Sequence, residues 1–265
     1  YNGIFEMFYA QMMTQTHLKP LYEKITYTWD DATLSVKADL SSVISELQNN
    51  LSTDSEAGKQ LLGEFSRTVR GFGAQDIMDY LSFRETFISV NPSLGWIIDS
   101  AGRNLITGTS ENNSLSGTAN DDAISGQEGN DILSGNNGND TLYGDSGDDA
   151  LYGGDGDDML SGGEGNDTIW AENGNDILDG SAGSDQLYGG AGNDTYIFRR
   201  DSGQDVITDS DTTAGNIDTV WIGDSLQPSA ISLRRIGNDL IVRITATTDK
   251  LTVLDFIRND SPLNR

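Results

Sequence analysis

Nine aspartates, Asp122, Asp131, Asp140, Asp149, Asp158, Asp167, Asp176, Asp185 and Asp194, follow one another at intervals of nine residues. A carboxylate can act as general acid, general base, nucleophile or ligand for a hard cation, and its surroundings decide which. Written from Gly108, ten nine-residue units run in unbroken phase to Ile197, and these aspartates hold the sixth position of nine of them. The pattern is G-G-x-G-x-D-x-U-x, with U a large apolar residue. Adjacent carboxylates such as Asp148-Asp149 and Asp157-Asp158 look like acid/base pairs. Their repeat phase accounts for them better, and metal-bound carboxylates make poor general acids. The 90 residues hold 19 Asp and Glu and neither Lys nor Arg.

Each unit ends in a short x-U-x strand, preceded by a six-residue glycine-rich turn. Glycines at positions one and four are expected to supply positive φ and to let neighbouring chains approach closely. A single strand of this length cannot bury its apolar residue. Stacked in parallel, alternate units form the two faces of a flattened coil with 18 residues per turn. Leu115, Ile124, Leu133, Leu142, Leu151, Leu160, Ile169, Leu178, Leu187 and Tyr196 then point into one thin core. The position-six carboxylates fall into two columns, one along each edge, where like charges repel. A hard divalent cation with oxygen ligands relieves that repulsion. Calcium tolerates six or more oxygens and the carbonyl-rich geometry of glycine turns, whereas magnesium holds its waters in a tighter octahedron. The repeats offer no thiol or imidazole for zinc. Low hydrophobicity and high net charge otherwise mean a disordered, solvated tract. The expectation is disorder without calcium and a β-roll with it.

The nonapeptide is similar to the calcium-binding repeat of RTX (repeats-in-toxin) proteins. By that resemblance, the position-six side chain and turn carbonyls of one unit meet those of the unit two further on. The implied ligands are Asp131, Asp140, Asp149, Asp158, Asp167, Asp176, Asp185 and Asp194. Carbonyls of Gly129, Gly138, Gly147, Gly156, Gly165, Gly174, Gly183 and Gly192 are implied with them. The first unit has Glu111 and Asn113 where the pattern asks for Gly and Asp; the second keeps Asp122 but carries Asn120 at the glycine position. Those two units are expected to form weak or empty sites. Ala171 replaces a first-position glycine but leaves Gly174 and Asp176 in place. Pairing the good units i with i+2 implies about six calcium ions, with about eight as an upper count. RTX proteins leave Gram-negative bacteria through a type I secretion machinery that reads an uncleaved C-terminal signal. The resemblance therefore implies a chain kept unfolded by low cytosolic calcium and folded by calcium outside.

The repeats divide the chain into residues 1–98, 99–197 and 198–265. In the first part, Phe5, Phe8, Tyr9 and Met12 suggest a helical face before Pro20. Ile25, Tyr27 and Trp29, then Leu34 and Val36, alternate as in a short hairpin. Leu40–Leu51, Ser55–Arg70 and Gln75–Thr86 have helical spacing, with Asp39 and Asp54 placed to cap the first two. An α-rich domain covering the open N-terminal end of the roll is expected, because an uncapped coil end is an exposed sheet edge. Past the repeats, Gly203–Ile207 looks like another turn two residues out of phase, a slip expected to end regular stacking. Thr219–Ile222, Ile231–Ile236, Leu240–Thr245 and Leu251–Phe256 alternate as antiparallel strands, with a hairpin turn at Gly237-Asn238-Asp239. Trp221, Leu233, Ile241 and Val253 are expected to cover the last coil, and Asp205 with Asp218 to complete the last calcium site. The fold class is mostly β: a parallel β-roll with an α-rich N-terminal capping domain and an antiparallel β C-terminal cap.

The segment Met12–Tyr22 and the following ITYTWDD resemble the stretch before the repeats in large, iron-regulated, FrpC-like RTX proteins. The tail GNDTYIFRRDSGQDVI…DTVWIG…LRRIGNDLIVRI…DKLTVLDF is similar to the haemolysin-type calcium-binding related domain of the same proteins. Relatives continue past the equivalent of Phe256, which implies a C-terminal fragment with its export signal trimmed. Self-processing in that family uses an Asp-Pro bond. The four prolines here follow Lys19, Asn91, Gln227 and Ser261, so that activity is not expected.

A formal net charge of −26 argues against nucleic acid or an anionic membrane as partner. With no cysteine there is no disulfide framework. Neither a basic-plus-apolar leader nor an 18-residue apolar run is found, so export by a classical signal peptide and a transmembrane segment are not expected. The one histidine, His17, has no catalytic partner in sequence, and the glycine turns lack the Lys-Ser/Thr of a phosphate loop. The chain is not expected to be an enzyme. Tyr143, Tyr152, Trp170 and Tyr188 hold ninth positions and should face outward, either as a sugar- or protein-binding row or through strand propensity alone. Three roles follow. The first is a calcium-folded module of a larger secreted, extracellular or cell-surface protein. The second is an adhesive domain contacting an unidentified host ligand through residues such as Phe83, Phe87 and Trp96. The third is the tail of a toxin or secreted enzyme.

Overall fold

The computed structural model describes residues 21, 26–30, 35–39, 41–53, 57–59, 61–62, 65, 87, 98–100, 103–209, 211, 216–223 and 226–256. The chain divides into two compact units, residues 1–102 and 103–265.

In the first unit, the alternating stretch forms an antiparallel hairpin of β1 (Thr26–Asp30) and β2 (Ser35–Asp39), with Thr26 opposite Asp39. Helix α1 (Ser41–Thr53) follows, as its spacing predicts. Val43 and Leu47, four apart on one face, are buried with Leu21, Leu62, Phe65, Phe87 and Ile98 in an apolar core. Phe87 is thus a packing residue and not an exposed contact. Residues 57–59, 61–62 and 65 of the expected second helix are helical. The helical face around Phe5, His17, the Asp54 cap, the segment Gln75–Thr86, Phe83 and Trp96 lie outside the described residues.

The second unit winds through β3 (Asn104–Thr107), β4 (Ser114–Ser116), β5 (Asp122–Glu128), β6 (Ile132–Asn137), β7 (Thr141–Ser146), β8 (Ala150–Asp155) and β9 (Met159–Gly165). It continues through β10 (Thr168–Asn173), β11 (Ile177–Gly183), β12 (Gln186–Ala191), β13 (Thr195–Phe198), β14 (Gln204–Ile207) and β15 (Thr219–Ile222). A 3-10 turn at Pro228–Ala230 then leads into β16 (Ile231–Ile236), β17 (Asp239–Ile244) and β18 (Lys250–Val253). Odd-numbered strands β3 to β15 make a seven-stranded sheet; even-numbered β4 to β14, extended by β18, β17 and β16, make a nine-stranded one. Pairing joins residues one full coil apart: Leu142 faces Leu160 across β7 and β9, and Leu151 faces Ile169 across β8 and β10. The apolar positions of both sheets meet in one buried layer, Ile124 through Tyr196, with Leu115 packed at its margin.

Several expectations change. Strands β5 to β12 run six or seven residues, because the ladder continues past the x-U-x segment into the next unit's first three or four positions. Positive φ falls at positions two and four, not one and four: Asn136 (φ 78) and Glu172 (φ 77) occupy position two without being glycine. Glycine at position one answers a different demand. A Cβ on Gly144 would meet the Asp149 carboxylate and stand 2.5 Å from the Gly162 carbonyl oxygen. The coil also begins earlier than the motif. Asn104 pairs with Asp122 and Ile106 with Ile124, so the strand Asn104–Thr107 stacks on the roll ahead of the motif's first glycine, Gly108.

At the other end the phase slip does not stop the stacking. β14 pairs in parallel with β12, Leu187 opposite Ile207, the two surplus residues looping out. Thr219–Ile222, expected in the antiparallel cap, instead stacks in parallel on β13, Tyr196 opposite Val220. The antiparallel part is β16–β17–β18, and β18 sits in parallel on β14, so the cap continues one sheet of the roll. Trp221 and Ile241 are buried and Val253 packs against the core as expected, but Leu233 is 65% exposed on the outermost strand. β16 has a hydrogen-bonding partner on one side only, and apart from Ile231, which packs against the core, its residues are exposed.

Candidate metal centre

The turns set the position-six aspartates in two ladders. In one, the backbone amides of Asp122, Asp140, Asp158 and Asp176 donate to Oδ1 of Asp140, Asp158, Asp176 and Asp194 at 2.7–2.9 Å. In the other, the amides of Asp131, Asp149 and Asp167 donate to Oδ1 of Asp149, Asp167 and Asp185 at 2.7–2.8 Å. Each of these rungs is therefore tied to the coil 18 residues on. Asp205 and Asp218 were expected to share one last site. The structure separates them: Asp205 accepts the Asp185 amide at 3.2 Å and Asp218 the Asp194 amide at 3.0 Å, so each ends its own ladder.

The second carboxylate oxygens carry the chemical signal. Oδ2 of Asp131, Asp140, Asp149, Asp158, Asp167, Asp176, Asp185 and Asp194 is buried with no hydrogen-bond partner. Buried polar atoms are nearly always paired, since leaving one unmade costs about 1–3 kcal/mol or more for a charged group. Eight orphans in register are not scattered defects. The set coincides with the eight aspartates that the sequence singles out. Asp122 differs: its Oδ2 accepts from the Thr118 amide at 2.6 Å and the Thr118 hydroxyl at 2.9 Å. The threonine that replaces the second-position residue of that unit thus occupies the free oxygen.

Electrostatics follows from this burial. Removal from water pushes the carboxyls of Asp158 and Asp176 up to about 8 and Asp167 to about 7, with neighbouring rungs adding repulsion and the ladder hydrogen bonds opposing it. Asp140, Asp149 and Asp194 rise to about 6 for the same leading reason. Asp185 and Asp205 face one another, and Asp218 faces Asp209; burial raises all three. At Asp122 burial also pushes upward, but the hydrogen bonds from Thr118 and Asn104 hold the carboxyl below its usual value. Without a metal, burial thus opposes ionisation of Asp158, Asp167 and Asp176 even at neutral pH.

The expected carbonyl donors also lie in columns. The position-four carbonyl oxygens stack over the next coil: a Cβ on Gly147, Gly156, Gly165, Gly174, Gly183 or Gly192 would collide with the oxygen of Gly129, Gly138, Gly147, Gly156, Gly165 or Gly174 respectively. Their amides are used elsewhere, Gly129 N donating to Ser146 O at 2.9 Å and Gly138 N to Asp155 O at 2.9 Å. Sequence reasoning missed two features. First-position carbonyls of Gly153 and Gly162 converge with Asp140 and Asp149 Oδ2 on the space a Cβ would take at Gly135 and Gly144. Position five, written as x, is a second ladder: Oδ1 of Asn130, Asn139 and Asp148 accept the amides of Asp148, Asp157 and Asn166 at 2.7–3.1 Å. The signal was present, since position five is Asn or Asp in every unit except that of Ser184.

An oxygen-only donor set, buried orphaned carboxylates and stacked carbonyls suit a hard divalent cation, and calcium accepts this crowded, irregular oxygen environment. Among the described residues no helix is long and apolar enough to cross a membrane.

Comparison with known families agrees with this geometry. The RTX calcium-binding nonapeptide repeat matches in four copies, over residues 98–133, 125–160, 134–169 and 161–196. Residues 98–196 are therefore RTX calcium-binding repeats wound into a β-roll. No curated protein sequence matches the chain. Among solved structures, the crystal structure of the extracellular lipase LipA from Serratia marcescens is similar at 17% identity, over 59% of this chain and 42% of that one, with a TM-score of 0.23. The chain thus spans under half the length of that structure.

Proposed function

We propose that this chain is the calcium-folded module of a larger secreted protein, with Asp131, Asp140, Asp149, Asp158, Asp167, Asp176, Asp185 and Asp194 as side-chain ligands. The stacked carbonyls of Gly129 through Gly192 complete the sites. The observation that carries the reading is the eight orphaned Oδ2 atoms in two columns. Four orphans per column leave three gaps in each, which supports about six ions, and about eight if every orphan holds its own. When bound, calcium supplies positive charge between rungs and oxygen coordination in place of water. The chain's own residues do the rest. The ladders fix Oδ1 of each aspartate so that Oδ2 faces inward, and the glycines keep side chains out of the space.

Without the ion, two files of buried carboxylates repel one another and the thin apolar layer cannot hold the coils. The repeats are then disordered, in the state a type I exporter passes. Outside the cell, calcium pulls the equilibrium to the roll by binding only the folded form. The module itself carries no catalysis; a catalytic, adhesive or toxic activity belongs to other parts of the parent. Far-ultraviolet circular dichroism during a calcium titration from EGTA tests the reading, with magnesium as control. A cooperative gain of β signal with calcium alone supports it. An equal response to magnesium, or none to either, overturns it.

A further inference from the structure

The last rung of one column departs from the nonapeptide in a way that points to a separate site. Between Thr195 and its partner Thr219 the chain runs 24 residues, where Thr141 and Met159 are separated by the regular 18. The longer path carries Asp209, which has no counterpart in the repeat. Ligand oxygens of Asp194, Asp209 and Asp218 come within 4.8 Å of one another. Asp194 is 1% exposed, its Oδ1 is taken by the Asp176 amide, and its Oδ2 has no partner. The inserted path is held down over this rung: Gly192 N donates to Asp211 at 3.3 Å, and Asn216 Nδ2 donates to the same carboxylate at 2.9 Å. Asn216 Oδ1 is a further buried oxygen without a hydrogen bond.

We propose that Asp209, together with Asp194 and Asp218, forms a three-carboxylate calcium site that closes the C-terminal end of the roll and fills before the repeat sites. The proposal rests on the calcium reading of the repeats and adds a site outside their phase. In the repeats each position-six aspartate offers one free carboxylate oxygen to the space beside it. Here three carboxylates from 194, 209 and 218 converge, and affinity for calcium rises with the charge gathered around it. The surplus residues in this coil are thereby given a role. They bring a third carboxylate to a rung that would otherwise hold two, and an ion there ties the inserted path to the stacked coils before the rest of the column fills.

Isothermal titration of the full chain with calcium alone tests this, comparing wild type, Asp209→Asn and, as a charge-matched control in the middle of the roll, Glu164→Gln. The expected result is that Asp209→Asn loses the tightest ion, with first-ion affinity weakened about tenfold or more, while Glu164→Gln keeps it. Circular dichroism at saturating calcium should still show the roll in both. Wild-type first-ion affinity and stoichiometry in a folded Asp209→Asn chain would overturn the site. If that variant does not fold, Asp209→Glu decides. A tight first ion restored by the returned carboxylate supports the proposal, and its continued absence in a folded chain refutes it. Failure of every chain, wild type included, to take up calcium would refute the repeat reading and this site together.

Discussion

A carboxylate pushed up by burial makes the metal-free roll sensitive to pH in a direction opposite to that of most acidic surfaces. These aspartates titrate near 3.9 in an unfolded chain and at about 6 to 8 in the metal-free roll. A raised folded-state value means that the folded form binds protons more tightly. Its stability is fully present below about pH 4 and is lost as pH rises through about 6 to 8. In EGTA, β signal should therefore grow on going from pH 8 to pH 5, while calcium affinity falls over the same interval because protons compete for Oδ2. A metal-free chain whose circular dichroism is the same at both values would contradict the burial argument. Asp176→Asn separates the two effects at one residue. Removing a carboxyl whose ionisation burial opposes should increase the β signal in EGTA. In calcium at about a hundred times the dissociation constant, losing one site should cost about 2.7 kcal/mol. Circular dichroism in EGTA and thermal melts in calcium would show opposite signs.

Within a single turn, positions one and two impose different conditions. Gly144→Ala places a methyl against the Asp149 carboxylate and the Gly162 carbonyl, so it should both destabilise the roll and remove an ion. Calcium stoichiometry together with the melting temperature checks this. Glu172→Gly acts in the other direction. Its φ of 77 is a conformation glycine adopts freely, and the residues one coil away on either side are Gly154 and Gly190. A gain of about 1 kcal/mol is expected in calcium-bound melts. The ninth-position aromatics are likewise an affair of neighbouring strands. Tyr152, Trp170 and Tyr188 stack in one sheet with centroids 4.7 and 5.6 Å apart, and Tyr143 sits on the opposite sheet. They are half-buried against each other, and their mutual stacking occupies the faces a sugar ring would need. Trp170→Ala breaks two stacks and should cost about 1–3 kcal/mol in the same melts, with calcium stoichiometry unchanged.

Over the whole second unit, the roll and its C-terminal strands are one sheet system, so its stability should be cooperative across residues 103–256. The two sheets share a single apolar layer running from Ile106 to Val253. Their ends are treated differently. At the C-terminal end β17 and β18 prolong the nine-stranded sheet, leaving β16 as its last strand with Leu233 and Ile236 exposed. That strand carries Arg234 and Arg235, charges of the kind that discourage edge-to-edge pairing.

How much of this was legible depended on whether a feature was periodic. The strict nine-residue phase already implied the parallel coil, its apolar layer, the two carboxylate columns and the calcium chemistry, because a repeat that short has one way to bury its apolar residue. The antiparallel hairpin at 231–244 was equally readable from alternation and the turn at Gly237. Non-periodic features required the folded chain. Whether Thr219–Ile222 joined the roll or the cap turned on which sheet edge remained open after β13, and alternation alone does not encode that. Asn104–Thr107 escaped the pattern because Asn104 stands where the repeat has aspartate, while its backbone already stacks on Asp122–Ser125. Asp209 looked like any loop aspartate until the 24-residue step brought it beside Asp194 and Asp218. Local sequence repeats dictate local geometry, whereas convergence of side chains from unequal loops depends on distances that only the stacked coils set.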